Sequence, residues 1–502
     1  MTLRGMWRTF RSTVGFRGLE TDAVARRLGR AVDVADLRRI ARRRLPSGVF
    51  DYIDGGAEDE LTMAANRAAF SKVEFRPNVL RDVSALDTST TLFGRRLTMP
   101  LVIAPTGYTR LTHSDGELAV ARAAARAGIP YSLSTMGTRS IEEVAAVSDG
   151  PKWFQVYTWK DRGLVRELVE RAAASGYEAL WLTVDTAVLG HRQRDARRGF
   201  TVPPKVGLGT LLDGVVHPAW TIDFLTHEPL EFANVAHVPE RGAAASADMG
   251  RGAYVMANFD QRLSWTDVDW LRSIWEGPIV LKGIQTVDDA RRAVDAGVAG
   301  IAVSNHGGRQ LDGAPAALTL VEPVREAVQD AVCVICDGGV RRGSDVVKAL
   351  ALGADACSIG RPYLYAMGAA GERGVDHVLD IFRTGMERTM ALTGRPAIAD
   401  IDRGLVRWID RLTSATRPGS AANVEPVFVP AERRVLGIDP GLTRGGYAVV
   451  DGRGSRSAKA VALGVIRTPA TDELPDRLAT LRNELVALLT EFRPAVVAVA
   501  LV

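Results

Sequence analysis

Short apolar runs rich in β-branched residues recur along most of the chain, and a stretch with helix-forming composition follows each one. The runs close on small or polar residues, and segments such as 117–127 and 288–296, rich in alanine and charged residues, lie between them. Near-continuous apolar strands that alternate with helices indicate a parallel sheet covered on both faces. The runs lie at 101–107, 129–135, 153–157, 179–185, 279–283, 300–306, 332–339 and 356–361.

Eight such units predict the α/β fold class and, within it, a closed (β/α)8 barrel of the TIM type. A doubly wound open sheet is the alternative, which is disfavoured because no G-x-G-x-x-G follows the first strand. The spacing breaks once, after the fourth strand, where a long insertion at 195–255 has the length of a lid or a binding loop. Its Trp220, Phe224 and Leu225 predict packing on the barrel, with contact to a membrane surface as the alternative.

Four regions follow from this pattern. Residues 1–31 form a basic N-terminal tail and residues 32–415 form the barrel, whose last helix is expected to end near Ala415. Residues 416–432 read as a polar linker, and residues 433–502 begin a new strand-like pattern. The tail is expected to be disordered or loosely docked, with attraction to anionic lipid headgroups as the alternative.

Composition excludes several classes of protein. A net charge of +4 over 502 residues is too small to indicate a nucleic-acid-binding protein. No uncharged apolar run of about 18 residues is present to span a membrane. The N-terminus lacks the apolar core of a signal peptide, so we expect a cytoplasmic protein, with a peripheral position on the inner face of the cell membrane left open. Cys333 and Cys336 lie three apart on a predicted strand, face opposite sides and are expected to be structural.

Polar residues gather at the carboxyl ends of the predicted strands, which is the face of a (β/α)8 barrel that carries chemistry. A packed core does not need so many polar side chains, so their convergence indicates a functional site. The positions are Thr106, Ser134, Gln155, Tyr157, Thr183, Asp185, Lys282, Ser304, His306, Asp337 and Arg361.

Two glycine-arginine segments at the last two strand ends are typical of a phosphate site. The segment 337–343 follows strand seven and 360–362 follows strand eight, where barrels recurrently bind phosphate. Glycines let backbone N–H groups approach an anion closely, and Arg341 and Arg361 add charged donors.

The segment 304–312, Ser-Asn-His-Gly-Gly-Arg-Gln-Leu-Asp, places a base beside a cation. His306 can take a proton, and Arg309, three residues on, can hold a carboxylate. This pair suits a hydroxy acid as substrate.

These motifs resemble those of the FMN-dependent α-hydroxy acid dehydrogenases and oxidases, a family that includes glycolate oxidase, lactate and mandelate dehydrogenases and lactate monooxygenase. The resemblance runs from about Val32 to Ala415, and within the family it is strongest to the bacterial L-lactate dehydrogenases that pass electrons to quinones. It rests on segments that match in order, at 50–59, 104–107, 154–157, 182–185, 281–283, 304–312, 337–343 and 359–362.

The resemblance implies roles for the matching residues. His306 is the expected catalytic base, Asp185 the carboxylate that orients it and stabilises its imidazolium, and Tyr157 the hydrogen-bond partner of the substrate hydroxyl. The positions that bind the substrate carboxylate or the carbonyl product are Tyr52, Arg192 and Arg309.

The resemblance also implies FMN as the cofactor. Lys282 stands where the family places a cation near the N1–O2 edge of the flavin, where its charge stabilises anionic reduced flavin. The residues expected to line the isoalloxazine ring are Pro105, Thr106, Gly107, Ser134, Gln155, Thr183 and Ser304. Those expected to hold the ribityl phosphate are Asp337, Gly338, Gly339, Arg341, Gly360 and Arg361.

Two positions depart from the oxidases of the family. Met136 stands where glycolate oxidase carries Trp, which predicts a different α-substituent on the substrate, and Gly107 stands where the oxidases tend to have Ala. We therefore expect oxidation of an L-2-hydroxy acid, in particular L-lactate to pyruvate, with electrons passed to quinone or another acceptor. An oxidase that uses O2 is the alternative. The resemblance further implies a homo-oligomer and leaves room for a peripheral membrane contact.

Residues 433–502 resemble the start of a RuvC-type Holliday junction resolvase, through the segments 434–444, 464–469 and 474–478. Such nucleases hold two divalent metals with several carboxylates. Asp439 matches the first carboxylate, but Ala500 stands where the second, a Glu, is expected. We expect a truncated, partial RNase H-like α/β fragment, with Asp439 as a vestigial ligand position and no bound metal.

Two other functions compete with the flavoenzyme. A DNA-processing protein is disfavoured because the carboxylates of the C-terminal segment are incomplete, and DNA is not expected as a partner. Another FMN barrel, such as an isopentenyl diphosphate isomerase-like enzyme, is disfavoured by the pairing of His306 and Arg309 with Tyr52 and Tyr157. Yellow colour and flavin absorbance of the purified protein would separate the flavoenzyme from the DNA-processing protein.

Overall fold

The computed structural model describes residues 20–197, 213–235, 258–409, 433–439, 444–453, 457–469, 471–472 and 474–499. The chain divides into two compact units, residues 1–411 and 412–502. None of the described helices is long and apolar enough to cross a membrane. The predicted linker at 416–432 and position 500 lie outside the described residues.

A closed barrel of eight parallel strands forms the centre of the first unit, in the order β10-β11-β4-β5-β6-β7-β8-β9. The eight apolar runs supply these strands, so the predicted (β/α)8 barrel is confirmed and the open sheet is wrong. The strands of this unit are β1 (Val73–Phe75), β2 (Thr90–Leu92), β3 (Arg95–Leu97), β4 (Leu101–Ile103), β5 (Tyr131–Ser134), β6 (Lys152–Val156), β7 (Ala179–Thr183), β8 (Ile279–Ile284), β9 (Gly300–Ser304), β10 (Cys333–Asp337), β11 (Ala356–Ile359) and β12 (Val406–Trp408).

Helices link the barrel strands and cover the outside of the barrel. Their inward faces bury the main apolar core between helices and strands. The described helices are Ala23–Leu28, Val34–Arg44, Ser47–Asp54, Leu61–Ser71, Gly116–Ala127, Ile141–Ala146, Arg162–Ala174, Gln193–Arg197, Pro218–Thr226, Trp265–Arg272, Val287–Asp295, Ala317–Val328, Gly343–Ala351 and Arg361–Thr393. Single 3₁₀ turns lie at Thr109–Leu111, Ile398–Asp400 and Arg403–Leu405.

The last helix of the barrel ends earlier than the sequence suggested. It runs over Arg361–Thr393, is kinked at Ala370 and Gly371, and stops at Gly394, whose φ of 68° gives a left-handed cap. The chain then turns back, and β12 pairs antiparallel with β1. The expectation of a helix to about Ala415 is therefore wrong, because a glycine cap ends the helix well before that point.

The barrel interior has an apolar level and, above it, a polar level. The apolar level is closed at the amino ends of the strands by the β2–β3 hairpin, through Leu92 and Leu97. Side chains two apart on a strand share a face, and two residues further along seven of the eight strands the next inward position is polar. These positions are Ser134, Gln155, Thr183, Lys282, Ser304, Asp337 and Ser358. The polar level therefore forms a floor at the carboxyl ends of the strands.

The described part of the insertion, residues 213–235, is seated on the barrel. Trp220 Nε1 donates to the Leu111 carbonyl at 2.8 Å, and the Asp223 carboxylate accepts from both the backbone N–H and the hydroxyl of Ser114. The predicted packing of Trp220 on the barrel is confirmed, but that of Leu225 is wrong, because Leu225 is exposed. On the opposite side of the same helix, Ile222 and Leu225 are 63% and 72% exposed.

Part of the predicted N-terminal tail is structured. The helix Ala23–Leu28 buries Leu28, and Arg27 Nη1 donates to the Ala369 carbonyl at 2.8 Å. Residues 1–19 lie outside the described residues.

The second unit is a four-stranded sheet in the order β15-β14-β13-β16. Its elements are β13 (Arg433–Asp439), β14 (Arg444–Arg453), β15 (Ser457–Arg467), the helix Leu474–Phe492 and β16 (Val496–Val499). A small core of Leu436, Val449, Ile466 and Leu488 joins sheet and helix. Across the described ranges of both units, no group of three or more His, Cys, Asp or Glu side chains lies close enough together to hold a metal ion.

Candidate active site

A single cavity at the carboxyl ends of the barrel strands gathers most of the residues singled out from the sequence. The predicted residues that line it are Tyr52, Pro105, Thr106, Gly107, Tyr157, Arg192, Lys282, His306, Arg309, Asp337, Gly338, Gly339, Arg341, Gly360 and Arg361. The remaining predicted residues, Ser134, Gln155, Thr183, Asp185 and Ser304, lie directly behind the lining and bond to it or to one another. The structure thus brings the whole predicted set together.

A histidine and a carboxylate form the reactive pair of this cavity. His306 Nδ1 lies 3.0 Å from Asp185 Oδ1, with side-chain exposures of 19% and 5%. Burial lowers the pKa of His306 below its ordinary value, although Asp185 works against this. Burial alone would raise the pKa of Asp185, but His306 and Lys282 outweigh it and hold that pKa below its ordinary value. Near neutral pH the imidazole is therefore neutral and the carboxylate charged.

The backbone at His306 is held in an unusual conformation. His306 has a φ of 57°, in the left-handed region, and Gly307 and Gly308 continue it. The Asn305 side chain supports this turn, because its Oδ1 accepts from the Gly308 N–H at 3.0 Å and its amide pairs with the Asn66 amide at 2.8 and 2.9 Å. Such strain persists where the surroundings enforce it. Sequence reasoning did not single out Asn66, which lies in the middle of the helix Leu61–Ser71.

A bulge in β8 lets the carboxylate approach. The register of β8 against β9 shifts between Lys282 and Ile284, and Gly283 has a φ of 117°. A Cβ at position 283 would lie 2.7 Å from the Cβ of Asp185. Only glycine in β8 therefore allows Asp185, which follows β7, to reach across β8 to His306, which follows β9.

Two half-buried arginines at the same end of the cavity, Arg192 and Arg309, form no ion pair among the described residues, although the Asp195 carboxylate lies near both. Arg309 Nη1 donates to the carbonyls of Tyr52 and Gly55 at 2.7 and 3.1 Å, and its guanidinium lies 5.2 Å from the centre of the Tyr52 ring. Burial and the nearby Arg192 lower the pKa of Arg309 to about 9. The buried Arg192 Nε has no hydrogen-bond partner among the described residues. Cations with free donors and no ion-pair partner among the described residues are suited to a carboxylate ligand.

A salt-bridge network anchors the segment that carries Arg192. Two residues on, Arg194 Nη1 donates to Asp54 Oδ2 at 2.9 Å, and Arg194 also bonds Glu60. Asp54 is buried and also accepts from Arg38 and from the Tyr365 hydroxyl. Burial opposes ionisation, but these donors lower the pKa of Asp54 to about 2. Nothing in local sequence spacing points to this network, because its members come from four separate elements.

The floor of the cavity carries a hydrogen-bonded chain across β5, β6 and β7. Ser134 Oγ donates to Gln155 Oε1 at 2.7 Å, and Gln155 Nε2 donates to Thr183 Oγ1 at 3.1 Å. Ser134 Oγ also accepts from the Met136 N–H at 3.1 Å. This chain fixes the orientation of polar groups that a flat heterocycle on the floor would meet.

The far end of the cavity has the features of an anion site. Arg341 and Arg361 are half-buried, and their loss of hydration lowers the pKa of Arg341 to about 10 and lowers that of Arg361. Arg361 Nε has no partner in the described part of the chain. The helix Arg361–Thr393 begins here. Its N-cap residue, Gly360, has no side chain that could accept from the first N–H groups, and such helix N-termini attract anions. A Cβ at Gly339 would lie 2.2 Å from the Asn66 carbonyl oxygen, so the loop requires glycine.

Asp337 differs from the other residues expected at the phosphate. Its Oδ2 lies 3.0 Å from Lys282 Nζ and accepts from Ser304, while Oδ1 accepts from Ser358. A charged carboxylate repels a phosphate, and this one is committed to Lys282. Asp337 thus lines the cavity with its carboxylate bonded to Lys282, and its expected place at the phosphate stays a prediction.

The wall beside His306 is apolar. A Cβ at Gly107 would lie 2.9 Å from the Cβ of Met136 and 3.2 Å from its carbonyl oxygen. A larger residue at position 107 would therefore require Met136 to move. Tyr157 stacks on Phe259 with centroids 4.7 Å apart, and burial raises the pKa of Tyr157 to about 12. The other wall residues are Tyr108 and Leu189.

This chain belongs to the FMN-dependent dehydrogenase family, whose family model matches residues 41–408. FMN is accordingly the cofactor of the barrel. Residues 435–502 match the family model of the crossover junction endodeoxyribonuclease RuvC. Both family resemblances noted in the sequence are confirmed.

Individual relatives agree with this assignment. The chain is 44% identical over 377 residues to an L-lactate dehydrogenase of Caulobacter sp. (strain K31), and the aligned region covers 75% of this chain and 98% of the relative. It is 44% identical over 376 residues to glycolate oxidase 1 of Oryza sativa subsp. indica, which covers 75% and 95%. Among solved structures, the monotopic membrane protein (S)-mandelate dehydrogenase superposes with a TM-score of 0.71 at 39% identity and covers 75% of this chain and 99% of that one.

The residues present fit FMN. The orphaned Arg361 Nε and the uncapped helix N-terminus match a phosphate, and the polar floor matches the edge of an isoalloxazine ring. The ammonium group of Lys282 and the hydroxyl groups of the floor supply donors of the kind that a flavin accepts.

Proposed function

We propose that this enzyme oxidises an L-2-hydroxy acid, with L-lactate as the leading substrate, to the 2-oxo acid and passes the electrons to a quinone. One observation carries the proposal: His306 and the two cations Arg309 and Arg192 line the same cavity, which also holds the polar floor that fits FMN. The name and identity of the lactate dehydrogenase relative support lactate in particular. Met136 and the apolar wall support a methyl or larger apolar α-substituent.

The side chains provide for each part of the reaction. Arg309 and Arg192 hold the carboxylate, Tyr52 and Tyr157 bond the oxygen at C2, and His306 takes up a proton at Nε2, because its Nδ1 is directed at Asp185. The Asp185 carboxylate stabilises the imidazolium that results. FMN, when bound, supplies the acceptor for the two electrons. The substrate loses two electrons and two protons. His306 holds one proton until that proton reaches solvent, and the other leaves C2 together with the two electrons.

Substrate preference tests the proposal directly. Turnover rates are measured with L-lactate, glycolate, L-mandelate and D-lactate. Each acid is tested with a soluble quinone analogue as the electron acceptor and, in parallel, with O2 as the acceptor. We expect the highest kcat/KM with L-lactate and quinone. Preference for glycolate with rapid O2 consumption would instead support the oxidase alternative, and inactivity with every acid would refute the proposal.

Below about pH 8, where Arg309 is charged, we expect the rate of flavin reduction at limiting substrate to fall only toward acid, with a midpoint below pH 6.5. A base works only when unprotonated, and burial lowers the pKa of His306 from its ordinary value of 6.5. Between this midpoint and about pH 8, His306 is neutral and the rate is constant. Asp185→Asn should move the midpoint further down, because the carboxylate raises that pKa, while the rate falls. A midpoint above pH 6.5 in the wild type would contradict this role.

We further propose that the exposed side of the helix Pro218–Thr226 contacts the membrane that holds the quinone. Replacing the whole insertion would also remove Phe232, which packs on Tyr108, so a surface change is the cleaner test. The double variant Ile222→Ser/Leu225→Ser should bind vesicles roughly tenfold more weakly or worse, since each buried side chain contributes about 1.5–3 kcal/mol.

Flavin reduction by substrate should stay unchanged in this double variant, while turnover of a membrane quinone should fall. Leu392→Ser is the matched control, because Leu392 is 71% exposed on the last barrel helix. Equal vesicle binding and equal quinone turnover in the double variant and the wild type would refute the membrane contact. Cytoplasmic location and homo-oligomer formation remain predictions.

We expect residues 433–502 to be dispensable for the oxidoreductase. The barrel and its cavity lie within residues 1–411, which form a compact unit of their own. A chain that ends at Ala422 should bind FMN and turn over hydroxy acid at the rate of the full chain. The full chain should also fail to cleave four-way junction DNA with magnesium or manganese. Metal-dependent cleavage that disappears in Asp439→Asn would overturn this expectation.

A further inference from the structure

A buried ion pair in the cavity floor joins Lys282 on β8 to Asp337 on β10. Lys282 Nζ lies 3.0 Å from Asp337 Oδ2, with side-chain exposures of 5% and 10%. The hydroxyls of Ser304 and Ser358 donate to the two oxygens of Asp337, each at 2.6 Å. Donors on every side therefore hold the carboxylate in its charged form, close to the ammonium group.

A buried ammonium group stays charged only where an anion replaces its lost hydration. Complete burial lowers the pKa of a lone lysine by up to about 3–5 units. Among the described residues, Asp337 is the anion within ion-pair distance of Lys282. With Asp337 and Asp185 nearby, the pKa of Lys282 lies above its ordinary value despite the burial.

The other titratable groups that face Lys282 cannot replace Asp337. They are Asp185 after β7, Tyr157 after β6 and His306 after β9. Asp185 is engaged by His306 at 3.0 Å. Tyr157 is neutral, because burial raises its pKa to about 12, and the neutral His306 carries no charge to share.

We propose that Asp337 is a positioning residue for the redox step, which keeps Lys282 protonated in both oxidation states of the flavin. Reduction of FMN to its anionic form then takes up two electrons and one proton, and Lys282 neither gains nor loses a proton. Without the charge of Asp337, Lys282 is neutral beside oxidised flavin and takes a second proton from solvent when the flavin becomes anionic. Asp337 thereby sets how the flavin potential depends on pH without acting on the substrate.

The test is the midpoint potential of bound FMN between pH 6 and pH 9, measured by electrochemical titration of the holoenzyme without hydroxy acid. For a two-electron couple, a tenfold change in equilibrium constant corresponds to about 30 mV, so one proton gives about 30 mV per pH unit and two give about 59. For the wild type we expect a slope of about 30 mV per pH unit. For Asp337→Asn we expect a slope of about 59 mV per pH unit in the upper part of this pH range. The double variant Lys282→Arg/Asp337→Asn should return to about 30, because arginine stays charged without a counter-ion.

Ser358→Ala is the control, since it removes one hydrogen bond from Asp337 but leaves the charge, and it should stay at about 30 mV per pH unit. A slope of about 30 in Asp337→Asn would overturn the proposal. If that variant fails to retain FMN, proton uptake by the wild type during chemical reduction still decides: one proton per flavin supports the proposal, and two protons with the spectrum of anionic reduced flavin refute it. Because no hydroxy acid is used, failure here leaves the proposed substrate unaffected.

Discussion

His306→Gln is expected to retain bound FMN and to reduce it about 10²- to 10⁴-fold more slowly with L-lactate, which is the usual cost of losing a general base. FMN should stay bound because the residues proposed to hold it lie in the floor and at the Arg361 end of the cavity, and His306 is not one of them. The measurement is single-turnover reduction of the bound flavin, followed by its visible absorbance in the absence of O2.

Two controls separate loss of the base from distortion of its turn. His306→Asn should lose as much activity as His306→Gln, although asparagine tolerates the left-handed backbone at this position better than other residues do. His227→Gln, on a half-exposed histidine outside the cavity, should behave like the wild type. Near-normal flavin reduction in either His306 variant would show that another group takes the proton.

Arg309→Met is expected to weaken substrate binding and slow reduction together. A hydrogen bond to a charged group contributes about 1.5–3 kcal/mol, which corresponds to a loss of roughly 10- to 150-fold in kcat/KM. The guanidinium is buried, so water cannot replace it at the carboxylate. Steady-state kinetics and the dissociation constant of a 2-oxo acid measure the two effects separately.

Arg309→Lys tests whether charge alone suffices at this position. Lysine keeps a positive charge but loses the planar pair of donors, so we expect intermediate activity. Arg291→Met, on an exposed side chain that pairs with Asp288, should leave the kinetics unchanged. If Arg309→Met keeps its fold and shows wild-type kinetics, the substrate carboxylate binds to a group other than Arg309.

Much of the fold and of the site could be predicted because the barrel is regular. Eight apolar runs at helix-length spacing leave few topologies, and parallel strands bring all their carboxyl ends to one face. Residues at those ends, such as Lys282, His306 and Arg361, therefore converge whatever their distance along the chain. Confirmation of the barrel confirmed their convergence as well.

Contacts between distant parts of the chain could not be predicted in this way. Asn66 and Asn305 are 239 residues apart, and their amide pair forms only because an N-terminal helix packs over the barrel mouth. The approach of Asp185 to His306 depends on the bulge at Gly283, which a Lys-Gly pair in a strand does not by itself reveal. Both depend on tertiary packing, which no local pattern encodes.

The contact of Asp337 with Lys282 could have been predicted from the sequence by strand parity. The place of Asp337 in an Asp-Gly-Gly segment suggested the phosphate loop. Counting by twos from the inward-facing Ile335 puts Asp337 on the interior face of the barrel, where Lys282 also lies. Strand parity therefore indicates the contact with the lysine.

Anaerobic mixing of the FMN-loaded protein with L-lactate tests the central claim most directly. The oxidised flavin absorbance should bleach to the anionic reduced form, and one pyruvate should form per flavin, whereas D-lactate should leave the flavin oxidised. The account would be contradicted if the flavin stayed oxidised with L-lactate and every other L-2-hydroxy acid while a chemical reductant bleached it normally.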